Sequence, residues 1–406
     1  MMFLTLSLMI VIGFALSEIF HRLRLPRVAG MIFAGILLGP YVFNLIAPEV
    51  LTISLDLRQI ALVIILLRAG LSLDLNDLKK VGRPAILLSF LPASFEIIGV
   101  IIFGQILLGL TLLESAILGS ILAAVSPAIV VPRMLKLMEM KQGTKKSIPQ
   151  MIMAGASVDD IYVIVLFTSF IKMAQEGRFT YDALIRLPLA ILLGIGVGLA
   201  FGFLFVMFFK RFHMRDTTKV LLLLSFSLFF VTIEHEFGHI IPYSGLLSIL
   251  AMGIMILSKY QILADRLVKK YEKIWVFAEM LLFVLVGAAV DITMIPYVFL
   301  WSIVLIFGAL VFRSVGVLIA TSHRSLNWKE RIYVVEAYIP KATVQASIGS
   351  IPLALGISNG NTMLTVAVLA ILITAPLGAF LMDISKNRLL GLPENPIIIQ
   401  EPVILE

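Results

Sequence analysis

Long apolar stretches, separated by short polar segments, run through the whole chain. A hydrocarbon core about 30 Å thick needs about 20 consecutive helical residues to cross it. Thirteen stretches approach this length, although the ninth is short. They span residues 3–20, 28–46, 58–73, 84–110, 114–138, 149–171, 183–209, 218–236, 244–258, 274–291, 295–321, 332–356 and 363–383. The pattern predicts an all-α integral membrane protein with about 13 transmembrane helices.

The composition excludes an ordinary water-soluble domain. Of the 406 residues, 60% are hydrophobic and 14% are charged, whereas soluble proteins contain about 25% charged residues. The absence of Cys excludes disulfide bonds and thiolate metal sites. The first 20 residues lack the charged segment and the small-residue cleavage site of a secretion signal. We therefore interpret them as the first membrane span.

The basic residues indicate how the chain is oriented, because Lys and Arg collect in cytoplasmic loops. Of the 32 basic residues, 25 lie in every second loop, at residues 22–27, 79–83, 133–146, 210–219, 259–273, 324–331 and 386–388. The opposite loops contain Lys172, Arg178 and Arg186. We predict an external N-terminus and a cytoplasmic C-terminus. The net charge of +7 is then a consequence of topology and does not indicate nucleic-acid binding.

The thirteen stretches divide into six, one and six, which is the pattern of an inverted repeat. We assign the first repeat to residues 1–174, a linker helix to 175–215 and the second repeat to 216–406. The fifth stretch of each half is interrupted, at Ser126-Pro127 and at Pro340-Lys341. Proline removes helical hydrogen bonds. Two matching breaks are typical of transporters with an ion site near the middle of the membrane.

Two adjacent carboxylates, Asp159 and Asp160, lie near the middle of the sixth predicted span. Charged residues are rare there, because each costs about 2.5–3.5 kcal/mol to insert. Successive side chains of a helix point about 100° apart, so one carboxylate can face a cavity while the other faces a neighbouring helix. A carboxylate binds either a proton or a monovalent cation, and this competition is sufficient for exchange. The alternative is a structural salt bridge with a basic residue elsewhere in the membrane.

Three further charged residues are predicted at similar depth: Glu96, Arg313 and Lys341. Glu96 and Arg313 occupy the fourth span of each half, and we favour a structural ion pair between them, because a buried charge is tolerated when it is paired. Lys341 lies at the second break. There it neutralises the negative end of a half-helix, pairs with Asp159, or carries a proton. The polar side chains that we expect to support this network are Ser126, Ser157 and Thr343.

One motif suggests a different class of protein. His235-Glu236-Phe237-Gly238-His239 matches the H-E-x-x-H signature of zinc proteases. It lies at the outer end of the eighth span, shortly before Pro242, and no acidic motif at matching depth supplies the third ligand that zinc requires. We therefore favour an external polar turn.

Two further classes of membrane protein rank below an exchanger. A sodium-coupled solute symporter would need a polar substrate chamber. A channel would not need broken repeats.

Several segments resemble the cation:proton antiporter superfamily, and specifically its NHA-type sodium/proton antiporter branch. They occur in the order typical of that family and extend over about residues 60–350. They are Arg68-Ala69-Gly70-Leu71-Ser72-Leu73-Asp74 with Leu78-Lys79-Lys80, Ser126-Pro127, Asp159-Asp160, Gly287-Ala288-Ala289-Val290-Asp291, and Pro340-Lys341-Ala342-Thr343-Val344-Gln345-Ala346. The last of these is the most specific.

The resemblance implies a homodimer in which a scaffold domain supports a mobile core domain with two crossed, broken helices. It implies that Asp160 carries the ion with the assistance of Asp159, so that both contact Na⁺ or Li⁺, and that Glu96, Arg313 and Lys341 form a charged network. We expect exchange of Na⁺ or Li⁺ for H⁺ in the cell (inner) membrane, without a cofactor and without enzymatic activity. Many electrogenic relatives carry Lys at the position of Arg313, so their stoichiometry is not transferred.

Overall fold

The computed structural model describes residues 2–23, 25–72, 82–176, 181–237, 241–322 and 326–392, and for residues 157, 161, 176 and 181–188 the description is limited to the backbone. These ranges are helical and contain no β-strand, as predicted. The helices are α1 (Met2–Arg22), α2 (Arg27–Leu38), α3 (Pro48–Thr52), α4 (Ser54–Ser72), α5 (Arg83–Leu88), α6 (Leu91–Leu108), α7 (Leu112–Ala123), α8 (Pro127–Glu139), α9 (Ile148–Glu176), α10 (Tyr181–Arg211), α11 (Asp216–Phe237), α12 (Gly245–Lys259), α13 (Gln261–Ala288), α14 (Ile295–Thr321), α15 (Trp328–Ala337), α16 (Thr343–Ile348), α17 (Ile351–Ala354) and α18 (Gly360–Leu390).

Each of the thirteen predicted stretches falls on one or more of these helices. Within the described ranges, eight helical segments are long and apolar enough to cross a membrane. Two further helices, α2 and α12, are apolar but shorter. The multi-pass helical architecture is therefore confirmed. The count of 13 spans and the inverted repeats with their boundaries at 174 and 215 stay predictions.

Both predicted breaks interrupt the helices. The first broken helix begins at a capping box, in which Thr111 and Glu114 exchange hydrogen bonds. Residues 124–126 are non-helical, and Pro127 then begins α8, a position where its missing N–H costs nothing. Residues 338–342 separate α15 from α16 in the same way. Proline close to each break explains why the helices stop there.

The helices pack in two groups. The panel helices are α1–α4 and α10–α13, of which α13 packs against α2 and α4, and α10 packs along α12. The core helices are α5–α9 and α14–α18, of which α14 packs along α6, and α15 packs against α18. Helix α16 contacts both groups, because it packs on α4 and α13 as well as on α7 and α18. The second break therefore borders the panel helices.

Glycine allows α4 and α12 to approach each other closely beside this border. A Cβ on Gly253 would lie 2.9 Å from the backbone of Gly70. A Cβ on Gly70 would lie 2.5 Å from the Leu250 carbonyl oxygen. Only glycine permits backbones to come this close. The two glycines therefore allow α4 and α12 to pack in direct backbone contact.

Candidate functional site

The two breaks contact each other. The backbone N–H of Ser126 donates to the carbonyl oxygen of Pro340 at 2.8 Å. The backbone N–H of Lys341 donates to the Thr374 hydroxyl of α18 at 3.1 Å. Irregular backbone at membrane depth needs such partners, because no water is there to replace them. The predicted meeting of two broken helices is present.

The carbonyl groups at the end of α7 are bound by side chains of other helices. Gln345 of α16 donates from Nε2 to the carbonyl oxygens of Leu122 and Ala124, at 3.3 and 2.8 Å. Arg313 of α14 donates from Nη1 to the carbonyl oxygen of Ala123. The last carbonyls of a helix lack internal partners and carry partial negative charge. An amide and a cation therefore stabilise the first break.

Arg313 also connects two buried carboxylates. Its Nη1 donates to Glu96 Oε2 at 2.6 Å, and its Nη2 donates to Asp159 Oδ2 at 3.1 Å. Lys341 Nζ lies 2.7 Å from Glu96 Oε1 and 2.9 Å from Glu96 Oε2. All four side chains are at most 2% exposed. These residues, which we call the charge cluster, contain two positive and two negative groups in contact and are together neutral.

The structure decides which partner Lys341 takes. Its ammonium pairs with Glu96 rather than with Asp159. Asp159 is bound by Arg313 instead, because the fork of a guanidinium can reach two carboxylates at once. The Asp159 Oδ2 atom also accepts a hydrogen bond from the Val125 N–H at 2.9 Å. The predicted contact between Glu96 and Arg313 is present, as one part of a larger cluster.

Asp160 has different surroundings from its neighbour Asp159. It lines a small, partly open cavity between the core and panel helices. Its Oδ1 atom is buried and has no hydrogen-bond partner among the described residues. One aspartate thus belongs to the charge cluster and the other faces a cavity, as the helical spacing predicts. The other residues that line the cavity are Leu62, Ile65, Leu66, Ala69, Ile164, Leu250, Thr343, Val344 and Ser347.

The three supporting residues predicted from the sequence lie in different places. Thr343 lines the cavity of Asp160, is 1% exposed, and has no partner for its Oγ1 within the described ranges. Ser126 is equally buried and its Oγ is also unpartnered there, but it contributes to the site through its backbone N–H. Ser157 lies on α9, and its side chain lies outside the described part of the structure.

Three residues of the site escape prediction from the sequence: Tyr338, Gln345 and Ser347. Gln345 binds the end of α7, and Ser347 lines the cavity. The Arg313 guanidinium lies over the Tyr338 ring, 5.4 Å from the ring centroid, which is a cation–π arrangement. A signal was available for Gln345 and Ser347, because both are polar residues that follow the second break within an apolar span. Such residues commonly mark functional positions.

The described residues of the H-E-x-x-H motif are not part of this site. His235 and Glu236 are exposed at the end of α11, and Gly238 and His239 lie outside the described residues. In the part of the chain that the structure describes, no group of three or more His, Cys, Asp or Glu side chains can hold a metal ion. The exposure of the first two motif residues fits a polar turn better than a zinc site.

Comparison with known families gives a match over most of the chain. A family model described as "Sodium/hydrogen exchanger, transmembrane" matches residues 6–383. Sodium/hydrogen exchanger 9B2 of Homo sapiens is 35% identical, over 91% of this chain and 71% of that protein. Sodium/hydrogen exchanger 9B1 of Homo sapiens is 31% identical, over 92% of this chain and 74% of that protein.

A solved structure has the same fold. The sodium proton antiporter MjNhaP1 from Methanocaldococcus jannaschii, at pH 8, matches with a TM-score of 0.83 over 95% of this chain and 98% of that chain. Its sequence identity of 20% limits this comparison to the fold.

The protein is a transporter and not an enzyme, so the zinc-protease alternative is wrong. The family model and the two human relatives together show that this chain belongs to the sodium/hydrogen exchanger family.

Proposed function

We propose that this protein exchanges Na⁺ for H⁺ across its membrane and that Asp160 binds the two ions in turn. The charge cluster is neutral by itself, because Arg313 and Lys341 balance Glu96 and Asp159. Asp160 is left without a basic partner within hydrogen-bonding distance among the described residues. An isolated carboxylate at this depth is costly unless it is protonated or binds a cation. This charge balance is the observation that carries the proposal.

Coupling of the two ions follows from the same electrostatics. Asp160 with a bound proton is neutral, and Asp160 with a bound monovalent cation is also neutral. An empty carboxylate would carry a net charge past apolar side chains, and this step is strongly disfavoured. The site therefore changes its access from one side of the membrane to the other only when it is occupied. Since proton and cation exclude each other, one ion moves in each direction.

Movement of the core helices against the panel helices would give alternating access. Asp160 and Thr343 belong to the core helices, whereas Leu62, Leu66 and Leu250 on the opposite side of the cavity belong to the panel helices. These panel side chains make no hydrogen bonds that would have to break during sliding. Rigid-body displacement of packed helices is a common mode of conformational change. The proposed motion exposes Asp160 first to one side of the membrane and then to the other.

Asp159 would assist Asp160 in cation binding through its Oδ1 atom. Its Oδ2 is held by Arg313 and Val125, whereas its buried Oδ1 has no hydrogen-bond partner among the described residues. Hard cations bind oxygen ligands in proteins. A cation at Asp160 can therefore be bound by Asp159 Oδ1 and by the unpartnered Thr343 Oγ1 as well.

The names of the relatives, which are sodium/hydrogen exchangers, support Na⁺ as the cation. Li⁺ is a similar hard cation, and we propose that the same oxygens accept it. We further propose a homodimer in the cell membrane, with an external N-terminus and a cytoplasmic C-terminus, that needs no cofactor. A solute symporter is the weaker alternative, because Asp160, Thr343 and Ser347 are the polar members of an otherwise apolar cavity lining.

The test is a transport assay with purified protein in proteoliposomes that contain a pH-sensitive dye. Addition of Na⁺ or Li⁺ outside is expected to change the internal pH by export of protons. K⁺ and choline serve as controls for ion selectivity and for osmotic effects. A protein that is correctly inserted and moves no protons in response to Na⁺ or Li⁺ would contradict the proposal.

A further inference from the structure

Ser347 shares the cavity of Asp160 but belongs to none of the pairs described above. It lies one helical turn after Thr343 on α16, and both residues line the cavity together with Asp160. Side chains four residues apart lie on the same face of a helix. Ser347 is 3% exposed, so its hydroxyl is removed from bulk solvent.

The hydrogen bond of Ser347 determines what its oxygen can bind. Its Oγ donates to the carbonyl oxygen of Thr343 at 2.7 Å. A hydroxyl has one proton to donate and two lone pairs to accept. The proton is used by the helix backbone, and the lone pairs remain. In this geometry Ser347 offers electron pairs to the cavity, which suits a cation and does not suit an anion.

The rest of the cavity provides no competing ligands. Its other lining residues are aliphatic, apart from Asp160 and Thr343. The Oγ1 of Thr343 is buried without a hydrogen-bond partner among the described residues. Because this oxygen also lines the cavity, it is available to bind a cation there. Three oxygen-bearing side chains thus converge in one apolar cavity.

We propose that Ser347 is a cation-binding residue that, with Thr343, supplies the neutral oxygen ligands for the monovalent cation at Asp160. This inference rests on the proposed exchange at Asp160 and adds a residue that distinguishes the two transported ions. A proton on Asp160 needs one oxygen, whereas a desolvated cation needs several. Loss of the Ser347 hydroxyl weakens cation binding and leaves proton binding intact.

The expected effect is a change in apparent affinity. Ser347→Ala raises the KM for Na⁺ and for Li⁺ about tenfold, which corresponds to the loss of about 1.4 kcal/mol of binding. The maximal rate at saturating cation is unchanged, because Asp160 and the charge cluster are intact. Ser347→Thr keeps the hydroxyl and retains the wild-type KM. Ser350→Ala is the matched control, since Ser350 is 1% exposed and does not line the cavity.

Binding is measured separately from transport. A cation that binds only the folded protein raises its unfolding temperature, by an amount that grows with the logarithm of one plus the ratio of the cation concentration to Kd. The concentration of Na⁺ that produces this stabilisation should rise about tenfold in Ser347→Ala and stay unchanged in Ser350→Ala. If active Ser347→Ala has the wild-type KM and the wild-type Na⁺ stabilisation, the inference is wrong. The proposal for Asp160 would still stand in that case, provided that Asp160→Asn is inactive.

A second variant covers the case in which Ser347→Ala does not fold. The chain contains no Cys, so Ser347→Cys introduces the sole thiol of the protein. A small cationic thiol reagent is expected to modify this thiol, and added Na⁺ is expected to slow the modification, whereas choline is not. A thiol that never reacts, or that reacts equally fast with and without Na⁺, contradicts the proposed contact.

Discussion

The Arg313 guanidinium donates to the Asp159 carboxylate at 3.1 Å, although 154 residues separate the two in sequence. The same guanidinium binds Glu96 at 2.6 Å. Arg313 therefore holds α9 against α14 and α6 at the level of the first helix break. The two adjacent aspartates therefore differ in their surroundings. Asp159 is hydrogen-bonded to Arg313, whereas Asp160 faces the cavity.

We predict that Asp160→Asn abolishes cation/proton exchange and leaves folding intact. Asn has nearly the same shape but cannot alternate between a proton and a cation. Proton flux driven by Na⁺ should fall to the level of protein-free liposomes, while gel filtration of the purified variant should match the wild type. Asp56→Asn, on the exposed end of α4, is the control and should transport normally. Normal transport by a well-folded Asp160→Asn would show that the central mechanism is wrong.

We predict that substitutions within the charge cluster have non-additive effects on the stability of the protein. Glu96→Gln leaves Lys341 without the carboxylate that binds it, and loss of one partner of a buried ion pair costs about 3–5 kcal/mol. Replacing Arg313 together with Glu96 should restore part of this loss. Replacing Lys341 together with Glu96 should restore more, because Arg313 then keeps Asp159 as a partner.

These effects are measured as unfolding temperatures of the purified variants in detergent. Residues in direct contact give non-additive changes in a double-mutant cycle. Additive losses in both double variants would mean that the contacts within the cluster contribute nothing to stability.

We predict that transport does not depend on the histidine motif. His235→Ala and His239→Ala should leave Na⁺-driven proton flux largely unchanged, because His235 is exposed at the end of α11 and neither histidine is among the described residues of the ion site. Elemental analysis of the purified protein should find less than one equivalent of zinc per chain. One equivalent of zinc that disappears in either variant would revive a metal-binding function for the motif.

The last prediction concerns the movement of charge during transport. A lysine at the ion site can release a proton when a cation binds, and two protons are then exchanged per cation. Arg313 cannot do so, because a guanidinium stays protonated in proteins. With one proton on Asp160 exchanged for one monovalent cation, the cycle moves no net charge. The rate of Na⁺-driven proton flux should therefore be independent of membrane voltage.

The measurement compares proteoliposomes with and without a potassium diffusion potential set by valinomycin. Lys341 is the residue that can reverse the outcome, because it lies in the cluster and a buried ammonium group, unlike a guanidinium group, can lose its proton. A rate that follows the imposed voltage would contradict the electroneutral cycle. Loss of that voltage dependence in Lys341→Arg would then identify Lys341 as the second proton carrier.

Local properties of the chain made part of this site predictable. Membrane helices have a characteristic length and apolarity, and proline interrupts them wherever it occurs, so the positions of both breaks could be predicted. Charged residues are so rare in apolar spans that Asp159, Asp160, Glu96, Arg313 and Lys341 stand out by their presence alone. Helical spacing also predicts that adjacent aspartates face different neighbours.

The partners of those charges depended on tertiary structure. Glu96 and Asp159 have the same sign and similar predicted depth, as do Arg313 and Lys341, so nothing in the local sequence distinguishes one pairing from the other. The folded protein pairs Lys341 with Glu96 across 245 positions of sequence, and lets Arg313 reach both carboxylates. The packing of α6, α9 and α14 around the end of α7 produces this arrangement, because it decides which charged groups lie within hydrogen-bonding distance of each other.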